Sequence, residues 1–197
     1  MEKPFCSVCS QPFYGSIEGE FVCASCMERK YHFTCAVAPY LSQGIVRELI
    51  HRFKYYGHFH LRHQLARWLC AGFADRRLLV PKPDLIVPVP LHPVRFRERE
   101  YNQAEELARL ASKKTGIPFC NALVRLRYTT SQTRFDREER MENLRNAFGI
   151  RKNTSVRGKQ LILIDDVLTT GSTLEECART LRAAGAGSVR ALTVARG

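Results

Sequence analysis

No apolar run in this 197-residue chain reaches the roughly 20 positions that a helix needs to cross a bilayer. The opening residues Met1-Glu2-Lys3-Pro4 carry no apolar signal region, so a cytosolic protein is expected. No internal repeat with a period of roughly 20–50 residues is present, which argues against a solenoid. There is no low-complexity tract. No Gly-Lys-Ser/Thr follows a glycine-rich loop, so a P-loop is excluded. Gly185 and Gly187 follow a helical pattern instead of opening one, and a dinucleotide fingerprint fails on that ground. Acidic residues are scarce, 19 against 31 basic ones, for a formal net charge of +12. Such a balance suits an anionic ligand, a nucleic acid or a membrane surface, without choosing among them. At 45% hydrophobic the chain can fill a core, and its length suits one α/β domain with a small appendage.

The most informative stretch runs from Leu161 to Thr173. Leu161-Ile162-Leu163-Ile164 reads as a buried parallel strand. Asp165 and Asp166 follow where that strand should end, and then come Val167, Leu168, Thr169, Thr170 and Gly171. Ser172 is expected to cap the next helix, with Glu175 completing a capping box. Ligands of open α/β sheets sit beyond the carboxyl ends of the strands. A helix N-terminus offers free N–H groups and a partial positive charge to a phosphate. Thr169, Thr170, Ser172 and Thr173 add hydroxyl donors, and Gly171 permits a close backbone approach. Two neighbouring carboxylates can accept from two neighbouring sugar hydroxyls. A ribose 5-phosphate satisfies both halves at once. The bland alternative is a plain strand–turn–helix, but a buried acidic pair is costly without a partner.

Cys6, Cys9, Cys23 and Cys26 form two Cys-x2-Cys knuckles separated by thirteen residues. Each knuckle can clasp one side of a tetrahedral Zn²⁺. A disulfide framework is the alternative, disfavoured in a cytosolic setting. So short a segment builds no core without such a staple. His32 and Cys35 leave the ligand set open, since either could replace a cysteine or hold a second metal. Cys70, Cys120 and Cys177 fall in apolar patterns and read as buried thiols.

The remaining chain alternates helices and strands. Ile45, Val46, Leu49, Ile50 and Phe53 make one apolar helix face, ended by Gly57, with Arg47, Arg52 and Lys54 opposite. Leu65, Trp68, Leu69 and Phe73 mark a second helix. The spacing of His51, His58, His60 and His63 is too irregular for a metal site. Asp84 to Pro90 reads as the first core strand. Arg95, Arg97 and Arg99 alternate on an expected extended loop, where they can receive a pyrophosphate or simply be solvated. Asn102 is expected to cap a helix to about Lys114 whose Ala104, Leu107, Ala108 and Ala111 face the sheet. Residues 125–148, with Arg127, Arg137 and Arg140, read as a basic loop that either covers an anionic ligand or lies solvated. Val189 to Ala195 is a final strand.

The run from Leu161 to Thr173 resembles the signature of the type I phosphoribosyltransferases, which bind phosphoribosyl pyrophosphate (PRPP). The resemblance implies that Asp165 and Asp166 hold ribose and that Thr169–Thr173 hold the 5-phosphate, with Mg²⁺ accompanying PRPP. Other pieces extend it: the cysteine knuckles, Phe53-Lys54-Tyr55-Tyr56-Gly57, Val87-Pro88-Val89-Pro90-Leu91, Arg97-Glu98-Arg99-Glu100-Tyr101-Asn102-Gln103, Arg125-x-Arg127 and Arg140-x-x-Asn143. In that order they resemble the ComF competence-protein family over nearly the whole chain. The resembled family usually has Gly where Glu100 stands, so positive φ is not expected of the glutamate.

The expected architecture is therefore α/β: a type I phosphoribosyltransferase-like parallel sheet flanked by helices, with a small N-terminal zinc ribbon. Residues 1–40 would form the ribbon and 41–197 the transferase-like domain, helical over 41–80 and α/β over 81–197. The resemblance implies a PRPP-binding protein of natural transformation. It would handle incoming single-stranded DNA on the cytoplasmic side, at the inner face of the membrane through DNA-uptake helicase or channel proteins. The competing functions are a salvage-type transferase that passes ribose 5-phosphate to a nucleobase or amine, and a sensor that binds PRPP or a nucleotide without turnover. No acceptor-reading residue is evident in the sequence, and whether the chain catalyses transfer stays open.

Overall fold

A computed structural model describes residues 4–17, 19–128 and 144–197. The elements, in chain order, begin with α1 (Ala24–Met27), β1 (Ala36–Val37), β2 (Tyr40–Leu41), α2 (Gly44–Tyr55), α3 (Arg62–Ala71) and α4 (Arg76–Leu79). They continue with β3 (Leu85–Pro88), α5 (Pro93–Arg99), α6 (Gln103–Thr115), β4 (Leu123–Arg125) and β5 (Phe148–Ile150). The last three are β6 (Gln160–Leu168), α7 (Ser172–Ala183) and β7 (Ser188–Arg196).

The main sheet is parallel, in the order β1-β7-β6-β3, with β2 continuing beside β7 on the β1 edge. Parallel strands buried on both faces should be largely apolar, and β6 and β7 are apart from Asp165 and Asp166 in β6, Arg190 and Thr193 in β7, and their end residues. Alternation divides them between two cores. Leu161, Leu163, Val189 and Ala191 pack with Leu174, Cys177, Ala178 and Leu181 of α7. Ile162, Ile164, Leu192 and Val194 pack with Phe53 of α2, Leu65 and Leu69 of α3, and Leu107 of α6. A separate antiparallel pair, β4 with β5, stands apart from this sheet.

Three expectations are corrected. The strand that opens with Leu161, β6, does not stop before the acidic pair, because β7 keeps pairing through Leu168↔Arg196. On the other side β3 leaves at Pro88↔Ile164, so Asp165 to Leu168 are paired on one side only among the described residues. Ile45 is 60% exposed, and the α2 face that packs is centred on Ile50 and Phe53. Arg95, Arg97 and Arg99 lie on a helix, not an extended loop, because His92 accepts from the Val94 N–H as its cap and Pro93 starts it. Helical spacing sets Arg95 and Arg99 on one face and turns Arg97 away. Asn102 does cap α6, accepting from the Ala104 N–H at 3.1 Å.

The cysteine segment is built into this sheet. β1 is its edge strand, in register at Ala36↔Ala191. Val8 O accepts from the Ala36 N–H at 2.7 Å, and the Ser10 hydroxyl donates to Ala36 O at 2.8 Å. Arg77, paired with Asp75, donates to Ser7 O.

Candidate functional site

The acidic pair is held from opposite sides of the sheet. Alternation along β6 carries Asp166 toward α2 and Asp165 toward α7. Lys54 reaches Asp166 with its Nζ at 2.8 Å from Oδ2 and 3.1 Å from Oδ1. Asp166 is almost fully buried, while the Lys54 side chain keeps 27% exposure at the mouth. Burial works against the Lys54 ammonium, but the charges of Asp166 and Asp165 outweigh it and hold its pKa above the ordinary value. Burial, reinforced by the Asp166 charge, raises Asp165 to about 7, with Lys54 and Arg125 opposing. Each carboxylate also accepts a backbone N–H: Asp165 Oδ1 from Asp166 at 2.9 Å, Asp166 Oδ1 from Val167 at 2.8 Å.

The loop after β6 turns at Gly171, whose φ of +81° is left-handed and open to glycine at little cost. Gly171, not Ser172, is the N-cap of α7, and as a glycine it offers no side chain to cap this end. The expected capping box is absent, because Glu175 is engaged elsewhere. Its carboxylate accepts from the His32 N–H at 2.8 Å and lies 2.5 Å from His32 Nδ1. Ser172 Oγ and Thr170 Oγ1 are 3.0 Å apart, and the Ser172 N–H approaches Thr170 Oγ1 at 3.4 Å. The Ser172 N–H and the hydroxyls of Thr170 and Ser172 therefore meet just past the acidic pair.

Guanidinium groups gather nearby. Burial lowers the Arg125 pKa, and among the smaller influences Asp165 raises it while Arg95 and Arg99 lower it, so the three arginines share one electrostatic neighbourhood. Arg99 lies over the Tyr55 ring at 4.9 Å, and Arg95 over Tyr128 at 5.7 Å. Tyr101 donates to Phe53 O, tying the turn after α5 to the helix that carries Lys54. Arg97 is exposed, and Arg127 donates to Arg145 O at 2.9 Å. Arg137 and Arg140 lie outside the described residues. Glu100 has a φ of +65° despite its side chain, contrary to expectation. Sequence reasoning missed Lys54 as a site residue, and it placed Arg125 in a basic loop where the structure has it at the end of β4 with Asp165 in its electrostatic neighbourhood.

The metal-ligand atoms of Cys6, Cys9, Cys23 and Cys26 lie within 4.8 Å of one another. Cys9 Sγ is 3.7 Å from Cys23 Sγ. Tetrahedral Zn–S bonds of about 2.3 Å imply sulfurs about 3.8 Å apart, so the donor set fits zinc. All four are free thiols, not disulfides. The hydrogen bond from Cys9 lowers Cys6 to about 4, the same bond pushes Cys9 up, and burial pushes Cys26 up to about 12. His32 is taken by Glu175, and Cys35 is buried against Arg77 O at 3.8 Å, so neither joins the quartet. Cys177 is buried, as expected, while Cys70 and Cys120 are half-buried. Among the described residues no helix is long and apolar enough to cross a membrane.

A phosphoribosyl transferase domain model matches residues 82–197. Competence protein F of Haemophilus influenzae is 36% identical over 152 residues, 75% of this chain and 66% of that protein. The DNA utilization protein YhgH of Escherichia coli K12 is 30% identical over 200 aligned positions, 99% of this chain and 85% of that one. This chain thus spans about two thirds of the Haemophilus protein's length. A solved structure, the allosteric regulatory enzyme of purine biosynthesis, is similar at 18% identity and a TM-score of 0.49, over 74% of this chain and 30% of that one. More than half of the sequence falls inside the domain match, and it includes the acidic pair, the Gly171 turn and the N-terminus of α7. The chain therefore belongs to the phosphoribosyl transferase domain family, among the relatives named competence protein F and YhgH.

Proposed function

We propose that the protein binds PRPP with Mg²⁺ at Asp165–Thr173 and serves natural competence by handling incoming single-stranded DNA on the cytoplasmic side. The observation that carries this reading is the N-terminus of α7, with glycine as its N-cap, set directly after an acidic pair of which Asp166 is buried and Asp165 half-buried. The 5-phosphate is received by the N–H groups of the Gly171 turn and the hydroxyls of Thr169, Thr170, Ser172 and Thr173. Asp165 and Asp166 accept from the ribose hydroxyls. Arg95, Arg99 and Arg125 face the diphosphate, and Arg97 and Arg127 extend the basic rim. Mg²⁺ accompanying the diphosphate neutralises part of its charge. Cys6, Cys9, Cys23 and Cys26 hold one structural Zn²⁺. Four thiolates leave no open position for metal catalysis.

The DNA reading draws support from the names of the relatives and from the rim itself. Tyr55 and Tyr56 are 54% and 65% exposed, and the exposed Tyr128 ring lies beside Arg95. Exposed rings among cations suit base stacking along a tracked backbone. Helicase or channel proteins of the uptake machinery are the expected partners. Transfer of ribose 5-phosphate to a nucleobase or amine is the second reading, favoured by the family match alone. Pyrophosphate release across an acceptor panel separates the two.

Calorimetry with Mg·PRPP tests the central claim. Asp165→Asn/Asp166→Asn should bind about 10²–10⁴-fold more weakly, from two charge-assisted contacts of roughly 1.5–3 kcal/mol each. Unchanged affinity in the folded variant would refute the ribose role.

A further inference from the structure

Glu175 is the acidic residue in the first turn of α7. A carboxylate there complements an empty helix N-terminus. It repels a phosphate bound at the same end. The fold turns this carboxylate aside. Both its oxygens are engaged by His32, through the backbone N–H at 2.8 Å and Nδ1 at 2.5 Å. Glu175 is 8% exposed in this clasp. His32 comes from the cysteine segment, 143 positions earlier. The same two regions also share a cavity of about 260 Å³, lined by Cys9, Cys23 and Tyr31 on one side and by Thr169, Thr170 and Gly171 on the other.

We infer that His32 is a positioning residue for phosphate binding: the ribbon holds the Glu175 charge off the phosphate loop and makes ligand affinity depend on an intact ribbon. This rests on the PRPP reading above. It also gives the ribbon a use beyond stability, as one wall and one electrostatic brace of the site. Released from His32, Glu175 would be free to cap its own helix and to compete with the ligand for the N–H groups there.

The test is a double-mutant cycle read by calorimetry with Mg·PRPP on zinc-loaded protein. His32→Ala removes the Nδ1 contact and keeps the backbone N–H, and should weaken binding about 5–50-fold, because a carboxylate held by one oxygen only can turn toward the phosphate. Glu175→Gln alone should stay within about threefold of wild type, and the double variant should return to that level, because the repelling charge is gone. A purely structural His32 would cost the same affinity in both backgrounds. Unchanged binding by His32→Ala, or a double variant as weak as His32→Ala, overturns the inference while the PRPP reading stands. Failure of wild type to bind PRPP removes that reading and this one with it. Should His32→Ala not fold, the comparison is Glu175→Gln against the double variant. Equal affinity is expected, and a drop beyond about tenfold overturns the inference.

Discussion

The molecule crowds like-charged groups together twice, and it handles the two places differently. In the ribbon, four thiols meet within 4.8 Å, and their protons are unevenly shared, with Cys6 lowered and Cys9 and Cys26 raised. Four thiolates at that distance call for a cation from outside. At the strand end, two carboxylates meet and the protein supplies the cation itself: Lys54 at 2.8 Å from Asp166. That supply is incomplete, and Asp165 stays raised to about 7. The first cluster is complete once a metal closes it. The second keeps an unmet demand for hydrogen-bond donors, which is what a binding site requires.

Zinc removal should have the largest effect. Structural zinc contributes on the order of 10 kcal/mol of apparent binding energy in small cysteine sites. Wild type should bind one equivalent of zinc, and Cys6→Ser/Cys23→Ser none. Hydrogen exchange should then quicken across residues 4–35 while the β6 amides stay protected. Full zinc retention would rule out the four-cysteine assignment.

Removing the internal cation should cost less. Lys54→Met strands the buried Asp166 carboxylate, for an expected loss of about 2–3 kcal/mol in urea unfolding at neutral pH. Partial exposure of Lys54 keeps this below the full cost of a broken interior pair. Lys54→Arg should recover most of it. Equal losses in both variants would point to packing, not charge.

Removing a carboxylate should have the opposite sign. Asp165 titrates at about 7 in the folded protein against 3.8 ordinarily. Between those values the folded state holds a proton that the unfolded chain has released. Stability therefore falls as pH rises from about 4 to 7, and the whole penalty stands above 7. Asp165→Asn should be more stable than wild type by about 1–2 kcal/mol at pH 8, with the gap closing toward pH 4. Thermal unfolding across that range measures it. A pH-independent difference would mean that Asp165 is not the titrating group.

These two clusters also mark how far sequence could be read. The cysteine knuckles and the Leu161–Thr173 run are local, so spacing and residue type suffice to find them. The groups that tune them are not local. Lys54 stands 112 positions from Asp166, and nothing in its helix period sets it apart from Arg47 or Arg52. The capping-box expectation around Ser172 failed for the same reason, since a residue 143 positions away took the Glu175 carboxylate. The arginines at 95, 97 and 99 misled through local chemistry, because alternate spacing suggested an extended loop. The signal that could have corrected it was His92-Pro93, an N-cap followed by a proline suited to the first helical turn.

The smallest expected effect tests whether backbone or charge governs the turn between α5 and α6. Glu100 caps α5 with φ +65° and ψ −11°, and its N–H donates to Phe96 O at 2.7 Å. Left-handed backbone costs an L-residue roughly 1–2 kcal/mol relative to glycine. Glycine gives back part of that through the greater freedom of its unfolded chain, roughly 0.5–1 kcal/mol. Glu100→Gly should therefore be stabilising by about 0.5–1 kcal/mol in urea unfolding. Glu100→Ala separates the causes, since it removes the charge but keeps the Cβ. If the backbone decides, only glycine gains. Equal gains would assign the effect to the carboxylate at the end of a helix whose negative dipole already disfavours it. The same pair sharpens the contrast between the clusters. An acidic residue beside Arg97 and Arg99 works against an incoming diphosphate, so both variants should bind Mg·PRPP about two- to threefold more tightly at low salt. That gain should fade as salt rises, unlike the loss expected for the Asp165/Asp166 pair.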